Sequence, residues 1–151
     1  MAKKKIKRIS VNAMDELMQG FENVTTIQWN GIDVSVTRNL SLEDMIAFVD
    51  SVVKSCFDQT TGVYMPEVKD FAIRSNIMER YANFTLPSRV ERQYDIVIRS
   101  GAVEEIMNHI NSTQFSELMK AIDAKLQNAA DANVQMEWEE MDQFLIQNGF
   151  A

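Results

Sequence analysis

Residues 24–38 read Val-Thr-Thr-Ile-Gln-Trp-Asn-Gly-Ile-Asp-Val-Ser-Val-Thr-Arg, two runs rich in β-branched residues on either side of an Asn-Gly dipeptide. Asn-Gly tolerates positive φ at both central positions of a type I′ turn, so the stretch predicts a β-hairpin. On the second run Ile32, Val34 and Val36 alternate with polar residues, which makes one face apolar. Because an isolated two-stranded hairpin is marginal in water, helices must pack on that face or another chain must extend the sheet.

The sequence downstream of the hairpin changes to a helical period. Ser41 is a suitable N-cap for an apolar stripe whose members recur three and four positions apart. Pro66 suits the first turn of a later helix, which is apolar on more than one side and which we therefore place in the middle of the fold. The predicted helices cover about residues 10–18, 41–57, 66–82, 88–98, 102–110 and 113–129, and a last apolar stripe lies near residues 138–145.

These elements predict an α+β fold, with one N-terminal β-hairpin (about 24–38) packed on a mainly helical domain of about five or six helices. The 151 residues contain no Pro/Gly/Ser-rich linker and no internal repeat, and their number suits one compact domain. We predict a basic flexible arm over residues 1–9 and a single domain over residues 10–151.

Charge is divided unevenly between the arm and the domain. The net charge is -7, but five of the 15 basic residues stand in the first eight positions, namely Lys3, Lys4, Lys5, Lys7 and Arg8. Residues 9–151 therefore hold 10 basic and 22 acidic residues, a net charge of -12. Such a domain repels polyanions, so we expect no nucleic-acid binding by the folded body and favour a solubilising role for the arm.

Several kinds of site are disfavoured by the composition. One cysteine, Cys56, and one histidine, His109, leave no ligand set for a structural transition metal and no disulfide framework. The five glycines form no phosphate-binding loop, and no apolar run approaches the roughly 18 residues of a membrane span. We expect no metal, no cofactor and no membrane partner.

Nucleophilic or acid–base catalysis would depend on Cys56, His109 or a carboxylate pair. Cys56 ends an apolar stripe, so we favour a buried structural thiol over a thiol–imidazole pair with His109. Glu104 and Glu105 are neighbours in sequence, which points them in different directions on a helix and favours a solvated face. A small enzyme that uses His109 and a carboxylate is the least favoured alternative.

Two features favour protein partners. The chain has ten methionines, whose flexible side chains suit adaptable surfaces, and residues 136–150 form an acidic amphipathic end. That end either packs on its own domain, which we favour, or docks into another protein. The candidate partner-binding residues are Glu137, Trp138, Glu139, Glu140, Met141, Phe144, Leu145 and Phe150. The edges of a lone hairpin also allow strand pairing across a homo-oligomer.

The middle of the chain carries a resemblance to known proteins. It lies in Val-Ser-Val at 34–36, Ser-Leu-Glu-Asp-Met-Ile-Ala-Phe-Val-Asp-Ser-Val-Val-Lys-Ser-Cys-Phe at 41–57, Tyr-Met-Pro-Glu-Val-Lys-Asp-Phe-Ala-Ile-Arg at 64–74, Arg-Tyr-Ala-Asn-Phe-Thr-Leu-Pro at 80–87 and Tyr-Asp at 94–95. This pattern resembles a family of small, mostly uncharacterised phage and prophage proteins of Gram-positive, clostridial-type bacteria. The resemblance covers about residues 22–125, implies a phage-encoded protein and carries no catalytic motif.

The expected function is that of a non-enzymatic phage protein acting through protein–protein contacts, foremost a tail or head assembly factor in virion morphogenesis. Its partner would be a virion component, and its location the host bacterial cytoplasm or the virion. The alternative is an acidic, anti-CRISPR-like inhibitor of a host antiviral defence system, because a surface of net charge -12 can occupy a basic nucleic-acid channel on a host protein.

Overall fold

The computed structural model describes the backbone of residues 6–147 and the side chains of residues 6–132. Its architecture is α+β, with an antiparallel hairpin near the start and six α-helices. The strands are β1 (Val24–Trp29) and β2 (Ile32–Thr37). The helices are α1 (Val11–Gln19), α2 (Leu42–Ser55), α3 (Lys69–Asn76), α4 (Val90–Arg99), α5 (Ala102–Met107) and α6 (Ser112–Gln147). The predicted fold class is confirmed.

The hairpin forms as its turn residues predict. Asn30 and Gly31 have φ values of 50° and 77°, and the register places Trp29 opposite Ile32. The face that carries Val34 and Val36 is buried in the main core. Helices of the same chain therefore cover the apolar side of the hairpin. The sequence analysis allowed either this cover or extension of the sheet by another chain.

The segment predicted as one helix over residues 66–82 has three parts. A 3-10 turn at Pro66–Val68 leads into α3, and a π-helical turn at Ile77–Tyr81 follows it. The segment contacts α2, α4, α5 and β2, so its predicted central position is confirmed. The π turn buries Ile77, Met78 and Tyr81.

The outer edge of β2 is closed by the residues that follow the π turn. Ala82 is extended and forms an isolated bridge with Val36, and Asn83 Oδ1 accepts a hydrogen bond of 3.0 Å from the amide of Ser35. One of the two hairpin edges that were expected to be open to a second chain is thus covered by the protein itself.

Two predicted helix boundaries in the last third of the chain differ from the structure. The helix expected over residues 102–110 ends at Met107, and the stretches at 113–129 and 138–145 belong to a single 36-residue helix, α6. Leu118, Ile122 and Leu126 of α6 are buried in the core. None of the helices that the structure describes is long and apolar enough to cross a membrane.

The ring of Tyr81 lies at the centre of the core. It makes edge contacts with Phe48 and Phe115 at centroid distances of 6.2 and 6.3 Å. Its hydroxyl is buried and finds no hydrogen-bond partner among the described residues. Burial raises the pKa of Tyr81 to about 12, since the phenolate would be poorly solvated there.

We predict that Tyr81→Phe raises the free energy of unfolding by about 1 kcal/mol, because it removes an unpaired buried hydroxyl and keeps the ring. Urea denaturation of the full chain measures the change. Tyr94→Phe is the matched control, since the side chain of Tyr94 is half exposed, and its expected effect is under about 0.5 kcal/mol. A loss of stability in Tyr81→Phe would show that the hydroxyl is satisfied.

Candidate protein-interaction surface

Within the part of the chain whose side chains are described, nothing buries the apolar side of helix α1. Ser10 caps it by accepting a hydrogen bond of 3.1 Å from the amide of Ala13, and the helix buries none of its residues. Surface helices normally turn their apolar stripe toward the core, as α2 does with Phe48, Val49 and Val52. We call the uncovered side the N-terminal face. Its members and exposed fractions are Val11 (76%), Met14 (40%), Leu17 (54%), Met18 (58%) and, just after the helix, Phe21 (60%).

An open groove adjoins the N-terminal face. Its volume is about 950 Å³, and Met18 and Phe21 line it together with residues 38–41 and Asn111. Because those two apolar side chains belong to both features, the N-terminal face and the groove form one continuous surface. The volume is in the range of known ligand-binding clefts, but the groove is open rather than enclosed.

A network of side-chain amides fixes the wall of the groove. Asn23 Oδ1 accepts a hydrogen bond of 2.9 Å from the amide of Asn39, and Asn23 Nδ2 donates to the carbonyl oxygen of Asn39 at 2.9 Å. Asn111 Nδ2 donates to Asn39 Oδ1 at 2.7 Å. The residues before β1, after β2 and before α6 are thereby held together by directional bonds.

Gln114 extends this network to the start of α2. Its Oε1 accepts from the amide of Leu40 at 2.8 Å, and its Nε2 donates to the carbonyl oxygen of Leu40 at 2.9 Å. Both backbone groups of Leu40 are therefore satisfied by one side chain of α6. Leu40 itself is buried, so the groove has a wall that belongs to the folded core.

The charged residues around α1 change sign along the chain. Lys7 and Arg8 stand before α1 and are exposed, whereas Asp15, Glu16 and Glu22 follow. No basic residue occurs between Arg8 and Arg38. The segment is therefore positive at its beginning and negative along and after the helix.

The candidate residues at the acidic end are outside the part of the chain whose side chains are described. Glu137, Trp138, Glu139, Glu140, Met141, Phe144 and Leu145 lie on the backbone of α6, and Phe150 lies outside the described residues. The choice between packing on the same domain and docking into another protein stays a prediction.

Cys56 and His109 have different surroundings in the structure. Cys56 is fully buried at the end of α2, and burial raises the pKa of its thiol, with Lys69 and Glu67 as the charged groups that act on it. His109 Nε2 lies 3.7 Å from Glu105 Oε1. In the described part of the chain, no cluster of His, Cys, Asp and Glu side chains is arranged to hold a metal ion.

The neighbouring carboxylates Glu104 and Glu105 point to different partners. Glu104 accepts a hydrogen bond of 2.8 Å from Arg74, which also lowers the pKa of Glu104, whereas Glu105 faces His109. Both carboxylates are at least partly exposed. Glu104 forms a surface ion pair with Arg74, and Glu105 lies partly exposed beside His109, as the interpretation of a solvated face predicts.

Comparison with known proteins identifies no relative of this chain. No protein-family model matches the chain, and no curated protein or solved structure is significantly similar to it. The geometry of the described residues is therefore the basis for choosing the N-terminal face and its groove as the candidate site.

The spacing of apolar residues predicts α1 but not the exposure of its apolar stripe. The spacing of Val11, Met14, Leu17 and Met18 identifies an amphipathic helix, and such spacing usually marks residues that face the core. One signal for the exposure of α1 was available in the sequence. The helix stands between a basic arm and a hairpin, and later helices can cover the apolar face of that hairpin.

We predict that Gln114→Ala lowers the free energy of unfolding by about 2 kcal/mol, because it leaves both backbone groups of Leu40 without partners. Urea denaturation measures the loss. The matched control is Gln127→Ala on the same helix, where Gln127 bonds the exposed Asp131, and we expect a change below about 0.5 kcal/mol. Equal losses in the two variants would contradict a structural role for the Gln114 contacts.

Proposed function

We propose that this chain is a non-enzymatic phage protein that acts through protein–protein contacts, as a tail or head assembly factor in virion morphogenesis. The observation that carries the proposal is the N-terminal face, whose five apolar side chains are 40–76% exposed. A contiguous apolar patch of this kind marks an interaction site more often than chance exposure of single residues does. Amphipathic helices are also a common element of recognition between proteins.

The composition of the N-terminal face suits a surface that is covered by another protein. Met14 and Met18 are flexible and polarisable, so they adapt to an opposing surface, while Leu17 and Phe21 supply apolar area. The groove wall beside them is held by the amide network. A partner would therefore meet an adaptable helix and a fixed wall together.

The phage assignment is supported by the resemblance of residues 22–125 to small phage and prophage proteins. Under the proposal, the partner is a capsid, neck or tail protein, and the location is the host bacterial cytoplasm or the virion. The buried position of Cys56 favours a structural role for its thiol over a nucleophilic one.

We predict that the tagged full chain captures a capsid, neck or tail protein from phage-infected cells. Combined substitution of Met14→Glu and Leu17→Glu should reduce the recovered partner at least tenfold, because it places two charges on the N-terminal face. Val90→Glu is the control, since Val90 is 62% exposed on α4. Mass spectrometry of the captured material and of purified virions identifies the partner.

The outcomes of this experiment are distinct. Capture of a virion protein that is lost in the double variant and retained in the control supports the proposed function. Absence of every capsid, neck and tail protein from both samples, or capture that the double variant does not change, overturns it. Because α1 buries none of its residues, the double variant is expected to keep the fold, which circular dichroism checks.

A second candidate function is inhibition of a host antiviral defence protein. The observation that favours it is the long helix α6, on which Lys125 is the last basic residue of the chain. Every later charged residue is acidic: Asp131, Glu137, Glu139, Glu140 and Asp142. A helix that ends in negative charge alone is suited to a basic nucleic-acid channel on a host effector.

We predict for this second function that changing Glu137, Glu139 and Glu140 together to Gln weakens binding to a captured nucleic-acid-binding host effector at least tenfold. The variant should also flatten the dependence of affinity on salt, which titration calorimetry at several salt concentrations measures. Binding that the triple variant leaves unchanged would contradict an electrostatic inhibitor. The control removes three charges from other exposed positions: Glu67, Glu79 and Glu91 to Gln.

A further inference from the structure

The outer edge of β1 presents the backbone groups of every second residue. In an antiparallel pair, residues alternate between those whose backbone groups bond the neighbouring strand and those whose groups point outward. The amide of Arg38 donates to the carbonyl oxygen of Asn23 at 2.7 Å, directly before β1. Asn23 therefore belongs to the inward set, and every second residue after it does too. The outward set of β1 consists of Val24, Thr26 and Gln28.

The outward groups of β1 differ from those of β2 in having no partner within the described part of the chain. On β2 the amide of Ser35 donates to Asn83 Oδ1 at 3.0 Å. No described backbone or side-chain group bonds the outward N–H and C=O groups of β1. The three residues that carry those groups are all exposed. The edge of β1 thus offers a row of donors and acceptors that suits another extended strand.

The sequence of β1 lacks the features by which edge strands usually avoid pairing. Natural edges carry lysine, an inward-pointing charge, proline or a bulge. β1 reads Val-Thr-Thr-Ile-Gln-Trp, with no charged residue and no proline, and its register with β2 is continuous. Four of these six residues are β-branched, which favours an extended backbone. The edge is therefore suited to adding a strand.

The C-terminal part of the same chain cannot supply that strand. Residues 133–147 continue the helix α6, whose 36 residues correspond to a length of about 54 Å. Asn111, just before α6, donates to Asn39 Oδ1 at the base of the hairpin. Residues 148–151 span at most about 14 Å, which is too short to return from the far end of α6 to a strand about 20 Å long. Residues 1–5 include three lysines, which disfavour pairing at an edge.

A second copy offers the same edge in the complementary direction. In an antiparallel pair of β1 strands, a two-fold axis at Thr26 sets Thr26 opposite Thr26 of the other copy, and Val24 opposite Gln28. Each outward N–H and C=O group of one strand then meets an outward group of the other, and each residue pair exchanges two hydrogen bonds. A shift of two residues in either direction leaves one outward residue of each copy without a partner in β1.

The side chains fit this register on both faces of the sheet. Thr26 meets Thr26 of the other copy on the solvent side, and threonine pairs across strands are favourable. On the opposite side Ile27 of each copy lies across from Thr25 of the other. Ile27 is only partly buried in the single chain, so the pairing covers apolar surface as well.

The charges near β1 do not oppose this register. Glu22 of one copy would stand opposite Asn30 of the other, so the two Glu22 residues are eight positions apart, or about 26 Å. Asp33 lies on β2, and the width of β1 keeps it about 10 Å from the strand of the second copy. Both distances exceed the Debye length of about 8 Å at physiological salt.

We propose that β1 pairs with β1 of a second copy, antiparallel and around a two-fold axis at Thr26, which joins the two hairpins into one four-stranded sheet. The match of two identical, uncharged edges, with every outward donor opposite an acceptor, selects a second copy as the occupant. The edge is separate from the N-terminal face, so this inference does not rest on the proposed function. Two six-residue strands bury less than the roughly 1,200–2,000 Å² of a standard stable interface, so the dimer is reversible.

Sedimentation equilibrium of the purified full chain, from roughly ten micromolar to one millimolar, tests the pairing. We expect a concentration-dependent monomer–dimer equilibrium. Thr26→Pro should weaken it at least tenfold, because proline removes an outward amide that β2 does not use. Thr26→Val is the matched control, since it keeps the amide and the strand preference, and it should change the equilibrium less than twofold. A chain that stays monomeric throughout, or a dimer that Thr26→Pro leaves unchanged, overturns the proposal.

A charge exchange at the two-fold axis tests the register, and it does so even if Thr26→Pro disturbs the hairpin. Thr26→Lys and Thr26→Glu should each dimerise at least tenfold more weakly than the unmodified chain, because two like charges meet at the axis. Their equimolar mixture should recover dimerisation as a mixed pair. The same exchange at Val90, which is 62% exposed on α4, is the control and should have no effect. A mixture without recovery overturns this register.

Two other occupants of the edge give different results. Combined Lys3→Pro, Lys4→Pro and Lys5→Pro prevents residues 1–5 from forming a strand, and it should leave the dimer unchanged. A monomeric chain that dimerises only with those prolines would show that the arm covers the edge, which overturns self-pairing. A monomeric chain that loses a captured virion protein on Thr26→Pro would assign the edge to that protein and also overturns it. A dimer that behaves as described leaves self-pairing intact even if no virion protein is captured.

Discussion

Burial of the hairpin against the π turn is the contact on which the rest of the structure depends. Val34 and Val36 are 2% and 1% exposed, and they share one core with Tyr81. The chain leaves the π turn at Ala82, which forms a bridge with Val36. Because a two-stranded sheet is marginal in water, this one contact both stabilises the hairpin and closes an edge that would otherwise be open to aggregation.

The same contact accounts for the exposure of α1. The apolar face of the hairpin is buried in the core that α2, the π turn and α6 share, and the π turn contacts β2. The amide network of Asn23, Asn39 and Asn111 then fixes the residues on either side of the hairpin. Among the described residues, α1 contributes none that is buried, and its apolar side is exposed.

Local signals predicted much of the fold. The Asn-Gly turn at residues 30 and 31 and the cap at Ser41, whose Oγ accepts from the amide of Asp44 at 3.1 Å, act within three residues of their own position. The division of residues 66–82 into three parts was not predicted, because the π turn satisfies contacts with β2, which is more than 40 residues away in sequence. Composition alone points to the candidate residues at 137–150, whereas the exposure of the N-terminal face is visible only in the structure.

The sequence by itself determined the fold class, the hairpin and its register, the N-cap of α2 at Ser41 and the separation of a basic arm from an acidic body. Each of these depends on the intrinsic preferences of neighbouring residues or on counting charges. Only the tertiary structure decided that the stripe of α2 is buried while the similar stripe of α1 is exposed. The two helices have comparable patterns. They differ in burial because the core has a limited surface, and elements distant in sequence cover it.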